Sequence, residues 1–289
     1  MNNIDETAFI DPSIKIGNFN KIGKNVEIKY IDNDNKPLVT IGDNNIINDN
    51  TRILIGTNPL NIGDWNVFHN DMLIMVGKGI SIGHNCWFGQ NTILDGSGIL
   101  HISNGVRVGM YSQIWTHVAS GELIEGCMLF GDKKTIIEDD VWLVGSCIVS
   151  SGVHLRKKSV FLINSVVTKD SQPEKLYSGS PATINEKIQI WKKIELPDKL
   201  KMLLEWSEIF SHNKNCKINN YIEKGYFEIE STKSNELLII FIEDNFTIPD
   251  GFEVSLFNVV NKTLTKKNTL LEREFYKFIY NNKARFTTI

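Results

Sequence analysis

Bulky apolar residues recur at every sixth position along much of this chain. In the stretch "IIEDDVWLVGSCIVSSGVHLRKKSVFLINSVVTKD", which covers residues 136–170, they are Ile137, Leu143, Val149, Leu155, Phe161 and Val167. An amphipathic helix would place its apolar residues three or four apart, and a half-buried strand would alternate them. A period of six fits neither pattern. It indicates short strands separated by tight corners, with one inward-pointing residue, here called the anchor, in each strand.

The same period continues upstream in segments that differ in phase. Their anchors are Ile10, Ile16, Ile22 and Ile28; Ile41, Ile47 and Ile53; Ile62, Phe68 and Ile74; Ile82, Phe88, Leu94 and Leu100; and Ile102, Val108 and Ile114. The phase shifts fall at residues 29–40, 54–61, 75–81 and 115–136, where we expect loops extruded from corners. Three strands of six residues would complete a triangular coil of about 18 residues, and stacked coils would bury a continuous core.

Two other positions of the repeat agree with such coils. A second side chain should turn inward four residues after each anchor, where little room remains. In residues 136–170 these positions hold small or β-branched side chains, namely Val141, Cys147, Val153, Ser159 and Ser165. Glycine often follows the anchor, as at Gly17, Gly42 and Gly83. We interpret these glycines as relief for the positive φ angles of tight corners.

The repeat resembles the hexapeptide pattern of the left-handed β-helix acyltransferases over about residues 8–185. It is most similar to the maltose, galactoside and nodulation-type O-acetyltransferases, whose last coils carry "VWIG", "VVTKD" and "G-x-P-A" segments. Here "VWLVG" (141–145), "VVTKD" (166–170) and "SGSPA" (178–182) stand in the same order. The resemblance implies a mainly β protein, a left-handed parallel β-helix built as a hexapeptide-repeat solenoid.

Beyond the coils the composition changes, and we predict three parts: the β-helix domain at 1–183, capping or linking helices at 184–212, and a small strand-rich domain of α+β or β type at 213–289. Apolar residues at 200–210 follow helical spacing, with Pro197 as a break and Asp198 as an N-cap. We expect this helix to pack across the open end of the solenoid. The segment "TLLEREFYKFIY" fits either a helix or a further strand.

The resemblance implies transfer of an acetyl group from acetyl-CoA to a sugar hydroxyl, in a bacterial cell-surface glycan such as capsule or lipooligosaccharide. The attack is expected to be direct, with a histidine as general base. Among the six histidines, His117 stands where the chain leaves the coils for an extended loop, as the catalytic histidine does in relatives. His69, His84, His101 and His154 are interpreted as surface or corner residues.

Other site residues follow from the same resemblance. Asp95 and Asn91 lie near positions at which relatives place acceptor-binding residues, and either could orient the base or be an ordinary corner residue. The residues assigned to CoA are Trp142 beside the thioester end, Gly145 and Ser146 along the pantetheine arm, Thr168 and Lys169 near the adenosine and phosphates, and Pro181 in the closing motif. The basic corner "LRKKS" is either a further phosphate contact or a solvated surface.

One segment departs from the family pattern. Relatives usually have "GAGSVVTKD", whereas this chain has "LINSVVTKD", with Leu162 and Ile163 in place of small residues near the pantetheine path. These bulky side chains could narrow or reshape the CoA groove.

Composition and charge narrow the function classes. Hydrophobic residues make up 42% of the 289 residues, and the net charge of −3 gives no reason to expect nucleic acid as a partner. We expect a cytoplasmic protein without a secretory signal or a transmembrane segment. The four scattered cysteines are expected to be reduced structural thiols, and no metal is expected to be required.

Two alternative functions and an oligomeric state are also to be considered. The first alternative is an N-acetyltransferase that modifies a nucleotide-linked amino sugar. The second is a non-catalytic β-helix scaffold, which would have no use for the motifs at 166–170 and 178–182. The resemblance further implies a homotrimer with active sites between neighbouring prisms.

Overall fold

The computed structural model describes residues 1–32, 34, 36–119 and 121–289. The chain forms two compact units, Met1–Trp191 and Lys192–Ile289.

The first unit consists of short strands, most of two to four residues. The first 17 strands, in chain order, are β1 Asn3–Ile4, β2 Phe9–Ile10, β3 Lys15–Ile16, β4 Lys21–Ile22, β5 Glu27–Tyr30, β6 Val39–Ile41, β7 Ile46–Ile47, β8 Arg52–Ile55, β9 Leu60–Ile62, β10 Val67–Phe68, β11 Leu73–Val76, β12 Ile80–Ile82, β13 Trp87–Phe88, β14 Ile93–Asp95, β15 Leu100–Ile102, β16 Arg107–Val108 and β17 Gln113–Ile114. An antiparallel hairpin follows, made of β18 His117–Ala119 and β19 Phe130–Asp132. The coils then resume with β20 Thr135–Ile137, β21 Trp142–Leu143, β22 Ile148–Val149, β23 His154–Leu155, β24 Val160–Phe161, β25 Val166–Val167, β26 Leu176–Ser178 and β27 Thr183–Ile184.

These strands form the three faces of a prism. Their orders are β1-β4-β7-β10-β13-β16-β21-β24-β26-β27, β2-β5-β8-β11-β14-β17-β22-β25 and β23-β20-β15-β12-β9-β6-β3. Within each face the neighbouring coils pair in parallel, and β27 alone returns antiparallel. In the last coils Trp142 pairs with Val160, which lies 18 residues further along. The predicted fold class, a mainly β left-handed parallel β-helix, is confirmed.

The anchors fill the centre of the prism as the period predicts. All six anchors of residues 136–170 are at most 2% exposed. The small positions between them are buried as well, and Cys147 and Ser159 are fully inaccessible. Aromatic anchors of adjacent coils stack, as Phe68 does on Phe88 with ring centroids 5.0 Å apart. Each coil therefore adds one layer to a continuous apolar core.

The prediction of extruded loops is wrong for two of the phase shifts. At 54–61 and 75–81 the coil instead has longer sides, because β8 and β11 each contain four residues. Ile55 and Val76, at the ends of these strands, are buried as second inward residues. Coils there are longer than the predicted 18 residues, since Val67 pairs with Trp87, 20 residues further along. Of the predicted loops, the one at 115–136 leaves the prism as the hairpin β18–β19.

The interpretation of the glycines after the anchors is also wrong. Gly42 and Gly83 are not among the positive-φ residues; corners of that type hold residues such as Asn44 (φ 58°) and Asn85 (φ 62°). A Cβ on Gly42 would instead collide with the Asp64 side chain and with the backbone of the next coil. Close approach of stacked coils, rather than backbone conformation, requires glycine there.

A ladder of buried asparagines connects successive coils. The side-chain oxygen of Asn20 accepts from the backbone N–H of Asn45 (2.8 Å), and that of Asn45 accepts from Asn66 N–H (2.8 Å). The Asn66 side chain continues the ladder to Cys86 N–H (2.8 Å). The asparagine side chains thus provide hydrogen-bond partners for backbone groups at the corners, where strand pairing provides none.

The second unit is a sheet with two helices. Its elements are α1 Leu196–Asn213, β28 Cys216–Tyr221, β29 Tyr226–Ser231, β30 Glu236–Phe241, β31 Glu253–Asn258, β32 Thr263–Leu264, α2 Leu270–Ile279 and β33 Thr287–Thr288, with a short 3₁₀ turn at Ile222–Lys224. The six strands lie in the order β28-β29-β30-β31-β32-β33. The ambiguous segment near 270 is thus the helix α2.

Within 184–212, the structure contains one helix, which begins earlier than predicted. Glu195 occupies the N-cap, Pro197 lies in the first turn, and Asp198 is an acidic first-turn residue rather than the cap. Its contacts with β28, β29 and α2 place α1 in the second unit. Its packing over the end of the coils stays a prediction.

Of the helices in the described part of the chain, none combines the length and apolar character needed to cross a bilayer.

Candidate active site

Asp95 is a fully buried carboxylate at the end of β14, where it pairs with Met75 of the preceding coil. Its Oδ1 accepts from the Ser97 hydroxyl (2.6 Å) and from Ser97 N–H (3.2 Å). Its Oδ2 accepts from the backbone N–H and from the hydroxyl of Thr116, both at 2.8 Å. Both oxygens therefore have donors, as burial of a carboxylate requires.

His117 is a further partner of the same carboxylate. Its ring Nδ1 lies 2.8 Å from Asp95 Oδ2. The residue opens β18, three positions after Ile114, the last anchor before the chain leaves the coils. Its side chain is 33% exposed, whereas that of Asp95 is 0% exposed. A buried group thus holds an imidazole that remains partly open to solvent.

The charge of Asp95 decides which nitrogen of His117 carries a proton. Burial by itself would raise the pKa of Asp95, but hydrogen bonds from Ser97, His117 and Thr116 outweigh it and hold that pKa below its ordinary value of 3.8. Asp95 is therefore ionised at neutral pH and can only accept hydrogen bonds. The facing Nδ1 must then donate, so the neutral ring has its lone pair on Nε2.

Trp115 and the hairpin give His117 its further neighbours. The Trp115 ring meets the His117 ring edge-on, with centroids 5.8 Å apart, and its Nε1 donates to Gln113 Oε1 (3.2 Å). Across the hairpin, His117 pairs with Asp132, which forms an ion pair with Lys78 (2.7 Å). An aromatic side chain therefore covers part of the ring, and the rest stays open to solvent.

The hairpin carries exposed apolar side chains between its two strands. Leu123 and Leu129 are 65% and 64% exposed, and Ile124 and Met128 are 90% and 95% exposed. These side chains belong to the same hairpin as His117. The segment that carries the candidate base therefore also presents exposed apolar side chains.

Asn91 occupies a different environment from Asp95. It is an exposed corner residue with φ 57°, and its backbone N–H donates to the Asn70 carbonyl (3.1 Å). Within the described residues, its side chain joins none of the hydrogen bonds around Asp95 and His117. The structure thus brings two of the three predicted catalytic residues together and leaves Asn91 outside their network.

The first residues assigned to CoA lie in the last coils. Trp142 is 47% exposed on β21, between Arg107 and Val160 of adjacent coils. Gly145 and Ser146 form the corner that follows, where Ser146 has φ 48° and its N–H donates to the Met110 carbonyl (2.8 Å). An exposed indole and a sharply bent backbone segment therefore adjoin each other.

The remaining assigned residues lie further toward the end of the prism. Thr168 and Lys169 follow β25, and they and Pro181 are exposed. Leu162 and Ile163, the bulky residues in the segment that differs from the family pattern, are 36% and 63% exposed. They occupy an outer corner, so their bulk faces the surface rather than the core.

Four other histidines lie in regular coils. His154 Nε2 pairs with Glu138 (2.7 Å), and His84 Nδ1 accepts from Asp64 N–H (3.0 Å). Burial lowers the pKa of His69, whose ring lies 4.8 Å from that of Trp87. Burial, with a smaller effect from Lys134, lowers the pKa of His101, whose Nδ1 is 2.6 Å from the Ser81 hydroxyl. Their partners are local ones on the prism surface.

Across residues 1–32, 34, 36–119 and 121–289, no three or more His, Cys, Asp or Glu side chains are arranged to hold a metal ion. None of the four cysteines, all of which lie within the described residues, forms a disulfide bond. Burial raises the pKa of Cys147, which keeps this thiol protonated in the core.

Sequence reasoning missed Ser97 and Thr116. Both stand close to predicted residues, in "LDGSG" and "WTHV". Serine two residues after an aspartate commonly folds back onto its carboxylate, so Ser97 had a usable local signal. Thr116 had none, because its contact with Asp95 arises from the stacking of one coil on the next.

Parts of this chain are similar in sequence to proteins that are named as acetyltransferases. A galactoside O-acetyltransferase of Lactococcus lactis is 32% identical over 114 residues, which are 39% of this chain and 55% of that protein. A protein of Lysinibacillus sphaericus, named a probable macrolide acetyltransferase, is 29% identical over 142 residues, which are 47% of this chain and 76% of that protein. This chain thus spans about half the length of the galactoside enzyme.

Among solved structures, that of a polysialic acid O-acetyltransferase is 22% identical, covers 67% of this chain and 88% of its own, and has a TM-score of 0.46. No family model matches the chain.

Proposed function

We propose that this member of the hexapeptide-repeat acyltransferase family is an acetyl-CoA-dependent O-acetyltransferase that acts on a sugar hydroxyl. The observation that carries the proposal is the contact between His117 Nδ1 and Asp95 Oδ2, at 2.8 Å. A hydroxyl is a weak nucleophile at neutral pH and needs a base beside it. His117 supplies one, because its Nε2 carries a lone pair when Nδ1 is engaged.

In the proposed step, Nε2 of His117 takes the proton of the acceptor hydroxyl as its oxygen attacks the thioester carbonyl carbon. The new C–O bond forms, the C–S bond breaks, and the proton passes from Nε2 to the departing CoA sulfur. Backbone N–H groups near the hairpin or the following coil would stabilise the developing negative charge on the carbonyl oxygen. The transfer is direct, without an acyl-enzyme.

Asp95 contributes orientation and charge. It keeps the proton of the neutral ring on Nδ1, and its negative charge stabilises the imidazolium that forms when Nε2 takes up the second proton. Because Asp95 has no solvent exposure, water screens this interaction little. Asn91 would contact the acceptor rather than the base.

The CoA site is proposed along the last coils. Trp142 would flank the thioester, Gly145 and Ser146 would contact pantetheine amides through their backbone, and Thr168, Lys169 and Pro181 would lie at the nucleotide end. The exposure of Trp142 and Lys169 supports this assignment, since both side chains are available to a ligand. A lysine suits a phosphate as a mobile point charge.

The acceptor, the assembly and the location are finer proposals. The galactoside enzyme among the relatives supports a sugar acceptor, and we extend this to a cell-surface glycan such as capsule or lipooligosaccharide. A cytoplasmic reaction is proposed because acetyl-CoA is made and used there. We further propose a homotrimer in which neighbouring prisms together complete each CoA site.

An acceptor screen tests the proposal. Release of the CoA thiol is followed with acetyl-CoA and three acceptor groups: hydroxyl sugars, oligosaccharides and amino sugars. Faster thiol release with hydroxyl sugars or oligosaccharides, with the product identified by mass spectrometry as an alkali-labile ester, supports O-acetylation. Alkali-stable amide products from amino sugars alone would assign N-acetylation instead. No acceptor-dependent release in any group would reject the acetyltransferase.

A further inference from the structure

Two hydroxyl groups that take no direct part in the proposed step hold the two oxygens of Asp95. The Ser97 hydroxyl donates to Oδ1 at 2.6 Å, and the Thr116 hydroxyl lies 2.8 Å from Oδ2, the oxygen that also faces His117. Each carboxylate oxygen thus has one hydroxyl partner of its own.

The direction of the Thr116 hydroxyl is fixed by a third group. Its Oγ1 accepts a hydrogen bond from Gly98 N–H at 2.8 Å, while Asp95 offers Oδ2 at 2.8 Å and its carbonyl at 3.0 Å. Its single proton is therefore directed toward Asp95. Thr116 is fully buried and directly precedes His117, so the same residue fixes both the carboxylate and the backbone that carries the imidazole.

We propose that Ser97 and Thr116 are positioning residues that keep Asp95 ionised and aligned with the His117 ring. The proposal rests on the proposed function in taking His117 as the base. Hydrogen bonds to the charged form of a buried carboxylate favour that form against the cost of burial. Without the hydroxyls, Asp95 would gain a proton at higher pH, and it would rotate more freely relative to Nδ1.

Other charges near the pair are already compensated or turned away. Asp132, opposite His117 in the hairpin, is paired with Lys78 (2.7 Å). The Lys133 side chain lies against Gly152. On the remaining strands packed against Asp95, β11 and β17, the described residues carry no charged side chain. Burial, and the hydrogen-bond donors on Asp95 that oppose its effect, are thus the main local controls of the Asp95 charge.

The test compares Ser97→Ala, Thr116→Val and Thr116→Ser with a control, Thr92→Val. Thr92 is a suitable control because it is equally buried and its hydroxyl donates to the Gly89 carbonyl (2.7 Å), away from Asp95. Thiol-release rates are measured from pH 4 to 9, and thermal unfolding shows which variants are folded. We expect Ser97→Ala and Thr116→Val to lose roughly 10-fold in kcat. In both variants the acid limb of the plot of kcat against pH should move to higher pH. Thr116→Ser should restore both, and Thr92→Val should change stability alone.

A second readout does not depend on activity. In wild type at pH 7, we expect the proton on His117 Nδ1 to give a downfield NMR signal, absent in His117→Ala. Ser97→Ala and Thr116→Val should shift or broaden this signal, and Thr92→Val should leave it in place. An unchanged signal and an unchanged acid limb in both folded variants would overturn the proposal. If wild type transfers no acetyl group, the proposed function fails, but the NMR comparison still decides whether these hydroxyls position the pair.

Discussion

His117 Nδ1 and Asp95 Oδ2 lie 2.8 Å apart although 22 residues separate them in the chain. The distance follows from the coil length, since Leu94 of β14 pairs with Ile114 of β17, one coil later. A solenoid brings residues about one coil apart into the same column. The hairpin begins at His117, in the coil that stacks on the one containing Asp95.

Replacing Asp95 by asparagine should remove the charge while keeping the size of the side chain. We expect kcat to fall at least roughly 100-fold, because the amide can stabilise the wrong ring tautomer and cannot balance the imidazolium. Thiol-release kinetics measure the effect. Asp71→Asn is a control, because Asp71 is an exposed corner residue that accepts from the Asn50 amide (3.0 Å). Equal activity of Asp95→Asn and the control would rule out a role of this charge.

The same carboxylate predicts how stability depends on pH. The pKa of folded Asp95 lies below its ordinary value of 3.8. Its stabilising contribution is therefore complete above the unfolded-state pKa and is lost as the pH falls through the lower folded-state pKa. The free energy of unfolding, measured with urea at pH 7 and near pH 3, should be higher for wild type than for Asp95→Asn. This difference should be smaller at the acid pH. A constant difference between the two proteins would contradict an ionised Asp95.

The asparagine ladder should contribute measurably to the prism. Asn66→Ala removes an acceptor for the buried Cys86 N–H and a donor to the half-buried Gly83 carbonyl. We expect the free energy of unfolding to fall by about 2–4 kcal/mol. Urea unfolding measures this loss, and Asn61→Ala serves as an exposed control from the same coil. A loss below about 0.5 kcal/mol would show that the ladder is not structural.

Lys169 should affect binding of acetyl-CoA rather than chemistry. We expect Lys169→Ala to raise the KM for acetyl-CoA roughly 5-fold at low salt, with kcat unchanged, and the difference should shrink as salt increases. Lys175→Ala is a matched control, since it removes another exposed lysine from the same end of the prism. Equal KM values for the two variants would remove Lys169 from the proposed phosphate site.

Sequence alone predicted the prism because one inward residue in six is a direct consequence of its geometry. Leu143 and Phe161 could be placed in the core from their spacing. His117 was singled out by the family resemblance, because the catalytic histidine of relatives stands where the chain leaves the coils. The environment of Asp95 could not be predicted in this way. It follows the anchor Leu94 directly, where alternation predicts an outward side chain, yet the chain leaving the coil at Thr116 covers it completely.

The second unit shows a different limit of sequence reasoning. The segment near 270 fitted both a helix and a strand because its apolar residues are dense. The decisive signal was local: Thr269 caps α2 by accepting from Glu272 N–H (3.2 Å), in the spacing of a capping box. Glu272 is buried, and its carboxylate accepts from Ser255, Lys267 and Asn268. A Thr-x-x-Glu pattern could have settled the choice.

The most direct test of the central claim is the turnover of His117→Ala with acetyl-CoA and the best acceptor from the screen. We predict that kcat falls at least roughly 100-fold, while affinity for CoA and assembly remain those of wild type. Turnover close to wild type in this variant would contradict His117 as the base and with it the proposed mechanism.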